Sequence, residues 1–264
     1  MPLGMADGTL SRQIWGNFPW ASADSPHFKG TFFYDKFNKG LGQWTTFIDT
    51  GGTITPSVDL ANDEFGAVEL TTDADDNQAV EMQAGQAGAM AKFINPAVTA
   101  AYDIYFEARF SLGAVVGNCF VGLMEYVTPA GDHITDAGAL RDSDFIGFST
   151  LEATPTILEL THKEEGSTVV VDGAIETLAA DEVVQVGFVY RPNLHPASRW
   201  VTVYETNVRS AVAISKATCL LSTFPMGVAA AGDQKLMCPT IAVKNVTDIT
   251  SLRCEWIACG MVPS

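Results

Sequence analysis

The side chains in this sequence with the chemistry for catalysis are carboxylates at strand spacing. Asp73 and Asp75, and likewise Asp142 and Asp144, stand two residues apart, and Asp103 and Glu107 share one alternating run. Two carboxylates about 5–5.5 Å apart serve retaining glycoside hydrolysis, and about 6.5–9.5 Å serves inversion. The first two pairs lie in turn-like segments, where Asp is expected because its side chain caps its own backbone. Tyr105 stands between Asp103 and Glu107 and Arg109 follows, which reads as a solvated strand face. Asp73, Asp75, Asp76 and Asn77 offer oxygens to calcium, but a loop site needs about six to eight and EF-hand spacing is absent, so a hairpin turn is the simpler reading. His27, His133, His162 and His195 are scattered, without a His-x-x-x-His pair, and read as surface or loop residues rather than zinc ligands. There is no G-x-S-x-G, G-x-G-x-x-G or G-x-x-x-x-G-K. No catalytic residue, cofactor or metal ligand is assigned, and the chain reads as non-enzymatic.

The aromatic residues carry the other candidate chemistry. Trp44, Tyr126, Trp200 or Tyr204 would serve as a platform stacking on a sugar ring, against which stands ordinary core or interface packing. A second group, Trp15, Phe18, Trp20 and Phe28, lies in an opening stretch rich in Gly, Ser, Pro and Asp. A free tail rarely exposes so many rings, so residues 1–28 read as an arm that packs on its own body or on a neighbouring subunit. These four are the expected interface residues.

What must position such residues is a β-rich body, residues 29–264. In DIYFEARFSL (103–112), Ile104, Phe106, Ala108, Phe110 and Leu112 share one face, and Asp103, Tyr105, Glu107, Arg109 and Ser111 the other. In LRCEWIACG (252–260), Leu252, Cys254, Trp256 and Ala258 are expected inward, with Arg253 and Glu255 outward. Further runs are TFFYDKF (31–37), QWTTFI (43–48), AVELTT (67–72), QAVEMQ (78–83), AMAKFI (89–94), NCFVGLMEYV (118–127), DFIGFST (144–150), TILELTHK (156–163), STVVV (167–171), VVQVGFVY (183–190), RWVTVYE (199–205) and PTIAVKNV (239–246). Turn chemistry separates them, with Asp172-Gly173 expected as a tight hairpin and only AIETLAADEV (174–183) able to hold a helical turn. Many strands with short polar turns mean a sandwich or jelly roll.

Composition bounds the partners. The 264 residues carry a formal net charge of −16, with 31 Asp plus Glu against 15 Lys plus Arg. That balance excludes nucleic acid and anionic membrane as primary partners. Only 17% of residues are charged and 47% are hydrophobic, so part of the surface is expected to be covered by something else. No apolar run reaches the roughly 18 residues of a membrane span, and no secretion signal is seen. Five widely spaced cysteines read as reduced, mostly buried thiols. Cys254 and Cys259 are expected on opposite strand faces, out of disulfide reach.

Several phrases carry a resemblance: FFYDKFNKGLGQWTTF, GGTITPSVDLANDEFGAVELTTDADDNQAVEMQ, YFEARFSL, CFVGLMEY, DSDFIGFST and the final LRCEWIACG. Over residues 30–260 the chain resembles the concanavalin A-like (LamG-type) jelly-roll proteins, and more narrowly those encoded among tailed-phage virion genes. The resemblance implies a jelly-roll β-sandwich, to which the reading of residues 1–28 adds an extended N-terminal arm. It further implies a capsid decoration (cement) protein, made in the host cytoplasm and seated on the outer capsid surface of the virion. Its partners would be the major capsid protein and further copies of itself, as a homotrimer. The acidic E-x-D-x-E strand of laminarinase-type relatives is absent, so the carboxylates of that family have no counterpart here. The alternative is a carbohydrate-binding, lectin-like module of a phage tail or surface adhesin.

Overall fold

The computed structural model describes residues 10–16, 18, 30–38, 40–57, 66–85, 102–113, 117–126, 133–151, 153–163, 165–191, 200–207, 212–220, 237–246 and 248–263. After one helical turn, α1 (Arg12–Trp15), the first strands are β1 (Thr31–Asp35), β2 (Trp44–Ile48), β3 (Thr53–Ser57), β4 (Ala67–Thr71) and β5 (Ala79–Ala84). Next come β6 (Tyr102–Leu112), β7 (Asn118–Glu125), β8 (Phe145–Leu151), β9 (Thr154–Lys163) and β10 (Val170–Thr177). The series closes with β11 (Val183–Tyr190), β12 (Trp200–Asn207), β13 (Val212–Leu220), β14 (Met237–Lys244) and β15 (Ser251–Pro263).

The strands form two antiparallel sheets packed as a sandwich. One runs β13-β12-β11-β6-β15-β4-β3, with β1 also paired to β15, and the other runs β10-β9-β8-β7-β14-β5-β2. The period-two pattern builds the layer between them. Ile104, Phe106, Ala108, Phe110 and Leu112 of β6 meet Val121 and Leu123 of β7, Phe148 of β8 and Ile241 of β14 in one core. Phe106 stacks on Phe188 with ring centroids 5.3 Å apart. Each of the larger of these side chains contributes about 1.5–3 kcal/mol of transfer free energy.

Several expectations are corrected. β3 and β13 lie in stretches without a period-two run of large apolar residues and were not foreseen. Asp172-Gly173 is not the hairpin tip: β10 runs straight through it, with Gly173 at φ +61° beside a register shift between Asp172 and Ala174. The same strand continues to Thr177, so 174–183 begins as strand rather than helix. Asp73–Asn77 links β4 to β5, which belong to different sheets, so it is a crossing between layers and not a hairpin. Glu255 is left over where Cys254 pairs with Phe110 and Trp256 with Arg109. That bulge reverses the alternation. Cys254 and Cys259 therefore both face the core, while Trp256 and Ala258 turn to the outer face. The run 89–94 lies outside the described residues.

Candidate functional site

Around Glu107 the outer face of the β6 sheet is covered. Glu107 is fully buried there, and among the described residues four donors meet at its carboxylate. The Ser11 backbone N–H reaches Glu107 Oε2 at 3.0 Å and the Ser11 hydroxyl reaches Oε1 at 2.5 Å. The Trp15 indole N–H donates to Oε2 at 2.9 Å, and the Gln185 amide of β11 donates to Oε1 at 3.0 Å. Burial pushes the Glu107 carboxyl up, against the lowering effect of the bonds from Gln185, Ser11 and Trp15.

Around this carboxylate the segment that carries α1 lies on an aromatic floor. Trp15 stacks on Tyr105 at 5.7 Å, and Phe18 meets Tyr105 edge-on at 5.4 Å. Leu10, Ile14, Trp15 and Phe18 join Tyr105, Val189, Trp256, Ala258 and Val262 in a second apolar cluster. Gly260 leaves the space: a Cβ there would stand 2.5 Å from Phe18 Cε2. Of the expected interface residues, Trp15 and Phe18 thus bury themselves on their own chain; Trp20 and Phe28 lie outside the described residues.

The other sheet has a matching feature. Glu81 of β5 accepts the His133 backbone N–H at 2.8 Å, and the ring Nδ1 of His133 lies against its Oε2. Lys244 of β14 donates to the Ile134 carbonyl at 3.1 Å and to Asp136 at 2.7 Å. Ile134 and Leu140, joined by a β-bridge, cover Phe120, Met124, Phe145 and Ala242. His133 is buried, and so is His162, which faces Asp172 at 3.0 Å. His162 lies on β9, which corrects its reading as a surface or loop residue, while His133 is a loop residue that is buried; His27 and His195 lie outside the described residues.

The candidate acid pairs separate into holding roles. Asp142 pairs with Lys163 at 2.8 Å and accepts the Gly166 N–H, and Asp144 accepts the Glu165 N–H at 2.7 Å. Asp73 caps Ala74, while the Asn245 side chain ties the Asp73 and Asp75 carbonyls. Asp103 does not join Glu107; it faces Arg191 at 3.8 Å and accepts from the Tyr105 hydroxyl at 3.4 Å. Burial raises its carboxyl, with Arg191 opposing.

Of the sugar-platform rings, Trp44 sits in the core, its indole N–H donating to Asp35 at 2.7 Å. Tyr204 packs against the outer cluster beneath the arm, and Tyr126 is half-buried. Trp200 belongs to β12. Cys119, Cys238, Cys254 and Cys259 are buried free thiols. Burial pushes all four up, Cys238 to about 12.

Sequence reading missed Glu81 and Glu107 as hubs. For Glu107 one signal was present: an acid on a strand shared with Tyr102, Tyr105, Phe106 and Phe110, in a chain with an arm of unspent rings.

No protein-family model matches the chain, and no curated protein matches it significantly. Among solved structures it is similar to arcelin-5, a lectin-like defence protein from Phaseolus vulgaris, with TM-score 0.56 and 9% identity over 89% of this chain and 99% of that one. It is similar to an endo-β-1,4-glucuronan lyase from the fungus Trichoderma reesei, with TM-score 0.54 and 10% identity over 86% and 94%. It is also similar to the CBM2 module of the evolved Dit of Lactobacillus casei BL23 phage J-1, with TM-score 0.51 and 12% identity over 90% and 98%. At these identities the likeness shows the fold, a concanavalin A-like jelly roll shared by lectins, carbohydrate-binding modules and enzymes.

Proposed function

We propose that the chain is a non-enzymatic structural protein of a phage virion, a decoration protein that binds the outer capsid surface and stabilises capsomer junctions. The observation that carries the non-enzymatic part is the use made of the buried acids. Glu107, Glu81 and Asp35 each hold covering or neighbouring backbone in place, Asp35 through Phe37 N–H, Gln43 and Trp44. An acid spent on fixed donors inside the protein is not poised to exchange a proton with substrate. The capsid part rests on the resemblance together with the charge of −16 and the 17% charged fraction, which suit a surface contact made by apolar and neutral polar area away from packaged nucleic acid.

A subunit that binds only the assembled shell stabilises it by mass action, about 2.7 kcal/mol per site when free protein stands at 100 times Kd. The test is a cryo-EM map of the virion carrying this chain, with purified protein added to undecorated shells as the binding assay. Density on the outer head surface and saturable binding to shells are expected; density confined to the tail overturns the reading. The second reading is a carbohydrate-binding module of a phage tail or adhesin, favoured by the fold shared with the phage J-1 Dit module. Reproducible micromolar hits on a glycan array would put that reading first.

A further inference from the structure

The segment on the outer face of the β6 sheet is built as a plug and the face beneath it as a socket. Its described backbone-to-backbone hydrogen bonds close within it: Trp15 N–H to the Ser11 carbonyl, Gly16 N–H to the Arg12 carbonyl and Phe18 N–H to the Trp15 carbonyl, all between 2.7 and 3.0 Å. Its described residues add no strand to the sheet. The polar bonds of Ser11 and the Trp15 indole to the body converge on one carboxylate, Glu107. The apolar contacts fill shaped space: Phe18 sits over Gly260, and Ile14 Cδ1 lies 2.7 Å from where a Cβ of Gly187 would stand, a place that the Phe106 carbonyl of the neighbouring strand also closes at 2.4 Å. Two glycines on different strands and a four-donor acid make a preformed receptor for a Ser-x-x-x-Trp-x-x-Phe peptide.

We propose that this socket also accepts the plug of a second copy of the chain, so that copies exchange N-terminal segments. Residues 19–29 separate the plug from the strand region, and that much chain, fully extended, spans roughly 36–40 Å, enough to reach a neighbour. The plug makes the same contacts whichever chain supplies it, so only effective concentration decides between closed and exchanged forms. The proposal stands on the socket and holds whether the chain decorates a capsid or binds a glycan.

Complementary full-length variants test it. Trp15→Ala keeps the socket and spoils the plug; Glu107→Ala keeps the plug and spoils the socket. Sedimentation velocity of an equimolar mixture is expected to show a heterodimer that neither variant forms alone. A mixture that sediments as two independent species overturns the proposal, provided both variants keep β-rich circular dichroism. If Glu107→Ala does not fold, a labelled peptide of residues 9–19 is titrated into full-length Trp15→Ala instead. Saturable binding, weakened about tenfold or more when Gly260→Leu blocks the socket, is expected from the loss of the seated rings. No binding, or binding indifferent to Gly260→Leu, overturns it.

Discussion

Glu107 and Glu81 stand on opposite outer faces of the sandwich, each buried and each fastening a segment that crosses its sheet. They differ in what they hold. Glu107 takes its bonds from neutral donors contributed by Ser11, Trp15 and Gln185, over an aromatic floor. Glu81 takes His133 and Ile134 backbone N–H groups and a histidine ring, with Lys244 tying the same loop from the next strand. The plug at Glu107 is therefore held mostly by ring burial around one acid, whereas the loop at Glu81 is held mainly through its backbone groups. Among the described residues, releasing the first breaks one backbone bond to the body, at Ser11, whereas releasing the second breaks those of the His133 and Ile134 N–H groups and the Ile134 carbonyl.

The largest effect that would sharpen this contrast is Trp15→Ala. It removes the ring that both stacks on Tyr105 and donates to Glu107, and a buried Trp→Ala change costs about 3–5 kcal/mol. If the plug is a separable unit, hydrogen exchange will show residues 10–18 and the outer face of β6 exposed while β7, β8 and β14 stay protected. Global loss of protection would break the contrast.

Two glycine substitutions come next. A Cβ at Gly122 would stand 2.5 Å from the Gly147 Cα, backbone against backbone in adjacent strands, and neither can yield. A Cβ at Gly260 meets the Phe18 ring, which can shift with the plug. Overpacking costs of about 1–3 kcal/mol are typical, so Gly122→Ala is expected at or above the top of that range in urea unfolding and Gly260→Ala near the bottom. Equal costs would mean the plug is as rigid as the sheet.

How far the sequence foretold these places follows from the range of the interactions. The inner face of β6 was legible because alternation is local, and every predicted inward residue is buried. The outer face was not, because what covers Glu107 lies 96 residues earlier in the chain at Ser11. Glu81 and Gln83 alternate with apolar neighbours as a solvent-facing edge would, and no local signal announces the loop at His133. The bulge at Glu255 likewise has no signature in LRCEWIACG, yet it moves Trp256 from the expected core to the plug's floor. The arm aromatics did give warning: rings at Trp15 and Phe18 needed a surface, and one of the two surfaces foreseen is where they sit.

A pH titration tests the burial of Glu107 by sign. Because burial raises the folded-state value of Glu107, its contribution favours the fold fully below the unfolded carboxyl value and is lost as pH rises through the raised value. Relative to Glu107→Gln, which stays neutral throughout, the native protein is expected to lose stability as pH rises above the ordinary Glu range. Urea midpoints of the pair measured from pH 4 to 8 check this. Parallel curves would mean the four donors offset burial completely.

The smallest effect is expected at Lys244→Met. The side chain is buried, but its partner Asp136 is 77% exposed and stays hydrated when the ammonium goes. Met keeps the unbranched stem packed against the sheet, and removing a buried charge returns its desolvation cost. The Ile134 carbonyl loses a donor, worth about 1 kcal/mol. These terms oppose each other, so the net change is expected within about 1 kcal/mol, far below that of Trp15→Ala. A loss of several kcal/mol at Lys244 would mean that charge carries the loop on that face, and that the backbone bonds to Glu81 are too weak to hold it without the lysine.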